Sequence, residues 1–182
     1  MKKNVIFIGG VHGVGKTTLC KDISSILNIE HYSSSELIAK LHKNNVRKDK
    51  IVEDVKINQN ILIDAINEYI DKEEICLLDG HFCLINQNGL IEKIPEDTFK
   101  SIEILHIIVL VDDAKVISQR IQARDANSSY SSEFINNLQK CEINYAEYIS
   151  KEINVKFDVI ELNKDCNCRE NFKDLVYKDL FK

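Results

Sequence analysis

Eight residues near the start of this chain restrict its fold more than any other feature. Gly10-Val11-His12-Gly13-Val14-Gly15-Lys16-Thr17 fits G-x-x-x-x-G-K-[ST] at every fixed position. The segment lies between an apolar run, Asn4 to Gly9, and a stretch with helical spacing, Lys16 to Leu27. Glycines at these positions let successive backbone N–H groups turn inward toward a bound anion. A helix starting near Lys16 adds the positive end of its dipole. The pattern therefore predicts a phosphate loop made of Gly10, His12, Gly13, Val14, Gly15, Lys16, Thr17 and Thr18. Lys16 is expected to reach the β- and γ-phosphates of ATP or a similar nucleotide, and Thr18 the α-phosphate. The Thr17 hydroxyl is expected to ligate magnesium. Four of the chain's six glycines (Gly9, Gly10, Gly13, Gly15) fall in or beside this turn.

The rest of the chain reads as strands alternating with helices. Ile75 to Leu78 and Ile104 to Val111 are apolar runs suited to strands buried on both faces, and Val155 to Leu162 is the last strand. Glu30 to Tyr32 is a weaker strand. Helical spacing covers a segment capped at Ser33 to Ser35 and containing Leu37, Ile38 and Leu41, then Asp49 to Ile70, Ala114 to Arg124, Glu133 to Ser150 and Glu170 to Leu180. Asp112 and Asp113 are helix starters. Asn86 to Asp97, with Gly89 and the lone proline Pro95, reads as a loop. This alternation predicts an α/β fold whose parallel sheet is covered by helices on both faces.

Length and charge exclude several classes. The chain has 182 residues, enough for one domain with a sizeable core, and residues 1–182 are expected to form one. A net charge of −5 gives no strong nucleic-acid signal. No run is long enough to cross a membrane. The six cysteines are scattered, which is consistent with reduced thiols in a cytoplasmic protein. Cys166 and Cys168 lack the second ligand pair that a structural zinc site needs. Nothing in the sequence defines the oligomeric state.

Two further features turn a binding loop into a candidate catalyst. Asp79 closes the apolar run Cys76-Leu77-Leu78, where a carboxylate beside the phosphate loop holds magnesium through a bound water. Arg120 and Arg124 lie four residues apart on one helix in a chain with four arginines and twenty lysines. Their planar guanidinium groups suit phosphate oxygens and the charge on a transferring phosphoryl group. Lys16, Asp79, Arg120 and Arg124 are thus the expected catalytic residues.

The sequences GGVHGVGKTTL at Gly9 to Leu19, LLDGH at Leu77 to His81, R-x-x-x-R-D at Arg120 to Asp125 and E-x-x-x-A at Glu142 to Ala146 resemble the P-loop nucleoside monophosphate kinases. The pattern is closest to the archaeal-type adenylate kinases and related small ATP-binding proteins. The resemblance implies a three-layer P-loop fold with five parallel strands in the order 2-3-1-4-5. It also implies an acceptor-side helical insertion at about residues 33–72 and a short lid at about 120–133. ATP would be the donor, magnesium the metal, and a nucleoside monophosphate or similar small molecule the acceptor. Ser35, Glu36, Lys40, Gln59 and His81 are the candidate acceptor residues, Gln59 as a reader of a base edge. His12 and His81 are expected to pack or make simple hydrogen bonds near the phosphates. Two arginines usual on the acceptor side of that family are replaced here, around Lys40 and at Cys83. Arg47 and Lys48 are the other nearby cations, read as a surface loop. A hydroxyl-bearing small molecule or nucleic-acid end is therefore an alternative acceptor, with Asp79 or Glu36 as the base. A non-kinase ATP-binding switch is a third reading, though one with no need of lid arginines.

Overall fold

Strand β1 (Val5–Gly9) is buried along its whole length. Every other strand of the main sheet is arranged around it. The computed structural model describes residues 4–44, 55–71, 73–124, 130–162 and 167–181. Within them, β1 pairs in parallel with β3 (Cys76–Asp79) on one side and β6 (Ile104–Val111) on the other. β2 (Glu30–Ser33) extends the sheet beyond β3, and β7 (Lys156–Glu161) extends it beyond β6. The order is β2-β3-β1-β6-β7. Counting the strands of this sheet alone, that is the expected 2-3-1-4-5.

The helices are α1 (Lys16–Leu27), α2 (Ser34–Asn44), α3 (Val55–Tyr69), α4 (Glu96–Lys100), α5 (Ala114–Arg124), α6 (Ser132–Glu152) and α7 (Cys168–Leu180). Side-chain oxygens fix two of their starts. Asp113 Oδ1 accepts from the amides of Lys115 and Val116 at the head of α5, and Ser131 Oγ accepts from the Phe134 amide at the head of α6. Residues 45–54, including Arg47, Lys48 and the first part of the long helix expected from Asp49, lie outside the described residues. So do residues 125–129 of the expected lid.

The segment expected to be a loop from Asn86 to Asp97 is more ordered than its composition suggests. It is the second half of an antiparallel hairpin, β4 (Cys83–Ile85) with β5 (Ile91–Lys93), followed by α4. Asn86 closes the turn, its Oδ1 accepting from the amides of Asn88 and Leu90, and Gly89 takes φ 74°. Strands of three residues are too short to show an alternation of apolar and polar positions.

The parallel register brings the C-terminal ends of three strands together. Ile8 aligns with Asp79 across β1 and β3, and Ser33 aligns with Asp79 across β2 and β3. Ligands of open parallel sheets bind at this edge. Beneath it, Phe7, Phe82, Phe99 and Tyr145 form a run of ring contacts, with Phe82 stacked on Phe99 at 4.7 Å. These rings support the hairpin and α6 from below.

On the far side of the sheet, His106 of β6 is bracketed by carboxylates. Its Nδ1 lies 2.5 Å from Asp179 Oδ2 of α7 and its Nε2 lies 2.9 Å from Asp158 Oδ2 of β7. Lys156 adds a second ion pair to Asp179. Asp179 is buried, and removing it leaves the buried His106 Nδ1 without its partner, while Nε2 keeps Asp158 and the Lys156 ammonium, on a side chain 40% exposed, returns to solvent. Asp179→Ala is expected to lower unfolding free energy by about 2 kcal/mol, read as a reduced urea midpoint with an unchanged m-value.

Candidate functional site

The turn after β1 is held in a conformation that ordinary side chains disfavour. Gly10 has φ 139°, and a Cβ there would lie 2.6 Å from the Leu110 carbonyl oxygen of β6. Gly13 has φ 82°, with Ile121 of α5 closing the space. Val11 and Val14 point down into the core, and the Val14 amide donates to the Val11 carbonyl at 3.3 Å. Gly15 caps α1, and Lys16 is its first residue. Lys16 is itself buried and folds back, its Nζ donating to the carbonyls of Gly10 at 2.7 Å and Val11 at 3.1 Å. Burial pushes the ammonium below its usual range, against the opposing pull of Glu142, Asp79 and Cys20. A phosphate on the loop would supply the compensating charge.

Asp79 sits at the mouth of the loop. His31 Nε2 donates to its Oδ2 at 2.8 Å, Ser33 Oγ donates to its Oδ1 at 3.2 Å, and the Thr17 side chain is also hydrogen-bonded to it. The Ser34 hydroxyl donates to its backbone carbonyl at 2.8 Å. Burial pushes this carboxyl up, but the His31 bond and charge, the Thr17 bond and Lys16 outweigh it and hold the group below the usual carboxylate range. The pairing of Thr17 with Asp79 places a hydroxyl and an anionic carboxylate side by side. That donor set fits the all-oxygen preference of magnesium.

A cavity of about 140 Å³ opens over this arrangement, lined by the loop together with Ser33, Ser35, His81 and Arg124. His12 lies exposed at its rim. Its imidazole is pushed down first by burial and then by the charges of His81, Lys16 and Arg124. The cations therefore converge on the same space before any anion enters it.

A second cavity of about 140 Å³ adjoins the first through Ser35 and His81, and most of its wall is apolar: Phe7, Ile38, Leu62, Leu84, Ile94, Phe99 and Ile102. Gln59 of α3 faces it and is 6% exposed, and among the described residues its Oε1 has no hydrogen-bond partner. A buried carboxamide oxygen without a donor is costly unless a ligand supplies one. Of the candidate acceptor residues, Ser35, Gln59 and His81 line this space. Lys40 does not, because its ammonium lies over the Tyr69 ring at 3.7 Å. Glu36 is exposed on the first turn of α2 and lines neither cavity.

Arg120 departs from expectation. Its Nη1 donates to the Val14 carbonyl at 3.1 Å and to Asp112 Oδ2 at 2.8 Å. Asp112 is in turn clasped by Gln139, whose Oε1 accepts from the Asp112 amide and whose Nε2 donates to the Asp112 carbonyl, both at 3.0 Å. Arg120 thus braces the outside of the phosphate loop, and Arg124, one turn further along α5, is the arginine that lines the cavity. Spacing alone put both on one face, but the carboxylate at the end of β6 captures the nearer one.

Sequence reasoning missed His31, which lay in the weak strand segment with nothing to mark it. It also gave Glu142 no role, although that residue opens the E-x-x-x-A segment. Glu142 is fully buried on α6 and accepts from the amides of Phe82 at 3.0 Å and Cys83 at 3.2 Å, with His81 Nδ1 at 3.5 Å. It fixes the backbone just after Asp79. Glu142→Ala leaves two buried amides unpaired and is expected to cost about 3 kcal/mol, measured by thermal or urea unfolding. Asp79→Asn should remove stability at neutral pH. A depressed carboxyl stabilises the fold above its unfolded pKa and loses that effect as pH falls through its folded value. Wild type and Asp79→Asn should therefore converge in acid, below the ordinary carboxylate range.

Solved structures with this architecture include shikimate kinase from Acinetobacter baumannii in complex with shikimate, at 17% identity, TM-score 0.58, and coverage of 100% of this chain and 97% of that one. Others are TT1252 from Thermus thermophilus, at 13% identity, TM-score 0.60 and full coverage of both chains, and a gluconokinase from Sinorhizobium meliloti, at 13% identity, TM-score 0.52 and 97% coverage of both. At these identities the likeness establishes the fold. No curated protein sequence matches the chain significantly. The AAA domain family model matches residues 9–139, from the start of the phosphate loop to the Gln139 clasp, and the chain belongs to that family.

Proposed function

We propose that this protein transfers the γ-phosphoryl group of ATP to a hydroxyl on a small, uncharged acceptor, with magnesium as the metal. The observation that carries this reading is the unpartnered Gln59 Oε1 in an apolar cavity that opens, through Ser35 and His81, onto the phosphate cavity. An acceptor with an apolar body and one N–H or O–H directed at Gln59 fits that space. Among the described residues no lysine or arginine lines it, so nothing there anchors an anion. The structural neighbours named for gluconate and shikimate also have hydroxyl-bearing acceptors, but both of those are carboxylates, for which this cavity offers no lysine or arginine among the described residues.

The roles follow from position. The loop amides and Lys16 bind the donor phosphates, with Lys16 exchanging its bonds to the Gly10 and Val11 carbonyls for phosphate oxygens. Arg124 and Lys16 stabilise charge on the moving group. Magnesium, when bound, neutralises the phosphate oxygens, and Thr17 and Asp79 would hold it, Asp79 through water. Asp79 is held anionic, so it suits orienting the acceptor hydroxyl and taking its proton late, as a loose transition state allows. Arg120 holds the loop in shape.

A nucleoside monophosphate acceptor, as in adenylate kinases, is the second reading. Gln59 favours it, since a carboxamide suits a base edge, but its phosphate has no clamp among the described residues. A thermal-shift panel of alcohols, sugars, nucleosides and monophosphates, run with a non-hydrolysable ATP analogue, separates the two. Uncharged hydroxyl compounds are expected to give the larger shifts, and a response confined to monophosphates would reverse the order.

Lys16→Ala should abolish ATP binding measured by calorimetry; unchanged affinity would remove the site assignment. Arg124→Ala should lower kcat roughly a hundredfold or more with little change in ATP affinity. The same loss in Arg120→Ala should be accompanied by a lower melting temperature, since that residue acts through the loop. The His12 pKa, held down by burial and then by neighbouring cations, should rise when pyrophosphate or the ATP analogue binds, because an anion favours the protonated ring. Histidine proton shifts followed by NMR across pH read this directly, and an unmoved His12 would place the anion elsewhere.

A further inference from the structure

Behind the phosphate loop, three side chains from three elements meet at one point. Cys20 comes from α1, His31 from β2 and Asp79 from the end of β3, and the thiol sulfur, a ring nitrogen and a carboxylate oxygen all lie within 4.8 Å of one another. Cys20 is fully buried, and the His31 and Asp79 side chains are 5% and 6% exposed. Phosphoryl transfer has no use for a thiol at this position, and uses the imidazole only to hold Asp79 anionic. We infer that Cys20, His31 and Asp79 form a binding site for a thiophilic divalent cation of the zinc class, distinct in chemistry from the magnesium position that shares Asp79.

The donor set is the argument. One sulfur, one imidazole nitrogen and one carboxylate oxygen match zinc and other soft or borderline divalent ions, whereas magnesium takes oxygen ligands alone. The three atoms, all within 4.8 Å of one another, would have to adjust to bind one ion. Zinc bonds of ~2.3 Å to sulfur and ~2.0 Å to nitrogen and oxygen set tetrahedral edges of about 3.3–3.6 Å. The separation of 2.8 Å between His31 and Asp79 would open by roughly half an ångström, within side-chain adjustment. The Thr17 hydroxyl, already bonded to Asp79, or a water completes the set. Beside the site, His31 also lines an open surface groove that contains Glu30, Glu74 and Lys21.

Binding balances simply. The thiol proton leaves to solvent as the sulfur–metal bond forms. The hydrogen bond from His31 to Asp79 breaks, the single proton of the neutral ring moves through solvent from Nε2 to Nδ1 with no net release, and Nε2 offers its lone pair to the metal. Asp79 is then withdrawn from the magnesium position, so the ion is inhibitory. That last step rests on the function proposed above, whereas the site itself does not.

Cobalt(II) titration of the reduced full-length protein tests the site without reference to activity. A thiolate-to-cobalt charge-transfer band in the near ultraviolet is expected at one equivalent, lost on adding zinc and unaffected by millimolar magnesium. Cys20→Ser should remove the band and weaken zinc binding at least about tenfold by calorimetry. His31→Gln should do the same, and it serves where the serine variant fails to fold. No band, or a band unchanged in both variants, overturns the site, because another cysteine would then be the ligand. In turnover assays, zinc should inhibit wild type and lose potency in Cys20→Ser. A band that depends on Cys20 without inhibition keeps the site and overturns its link to turnover.

Discussion

Asp79 is the point on which the functional edge of this molecule depends. A carboxylate at the buried end of a central strand is costly unless it is bonded, and its partners come from three other elements. His31 and Ser33 come from β2, Thr17 from α1, and Ser34, at the head of α2, holds its backbone carbonyl. The parallel pairing of β2 with β3 aligns Ser33 with Asp79, so the bond and the register specify each other. Burial opposes the charge, and the donors together with Lys16 more than offset it. The same network that makes the fold tolerate a buried anion therefore delivers that anion to the mouth of the phosphate loop.

The cleft beside Asp79 has two unlike ends. At one, the loop, Lys16 and Arg124 gather positive charge in a polar cavity, with His12 at its rim. At the other, aliphatic and phenyl groups enclose a cavity in which Gln59 is the conspicuous polar group. Ser35 and His81 stand at the junction. On the function proposed above, this contrast would orient what binds, with the charged part of the donor at the loop and the apolar body of an acceptor beside Gln59 and Leu62 of α3. The phenyl contacts among Phe7, Phe82 and Phe99 make the apolar end rigid. Glu142 ties the backbone of Phe82 and Cys83 to α6, so the junction is fixed as well.

Features governed by local chemistry could be read from the sequence. The phosphate loop, the helix after it and the buried strands β1, β3 and β6 each announce themselves through glycine spacing or apolar runs. Asp79 could be picked out because it closes one of those runs. The hairpin β4–β5 could not, since its strands are three residues long and its turn chemistry resembles any loop. His31 and Glu142 matter because of partners 48 and 60 residues away, and no local pattern encodes such pairings. Gln59 was legible as a candidate, but its unpartnered oxygen becomes visible only when the walls around it are known.

The contrast between Arg120 and Arg124 shows how the loop is prepared for its ligand. Four residues of helix separate them, yet Arg120 is bound to the Val14 carbonyl and to Asp112, which Gln139 clasps in turn. That chain of bonds runs from α6 through the end of β6 to the back of the loop. A second constraint comes from the same strand, where Gly10 lies close to the Leu110 carbonyl. A loop held at two points would keep its amides aimed before phosphate arrives, so less of the binding energy would go into ordering it. Lys16, by contrast, spends its bonds on loop carbonyls that a phosphate oxygen can replace. The backbone is thus preset while the charge remains exchangeable, and Arg124, at the last residue of α5, is left free of that brace to meet the anion.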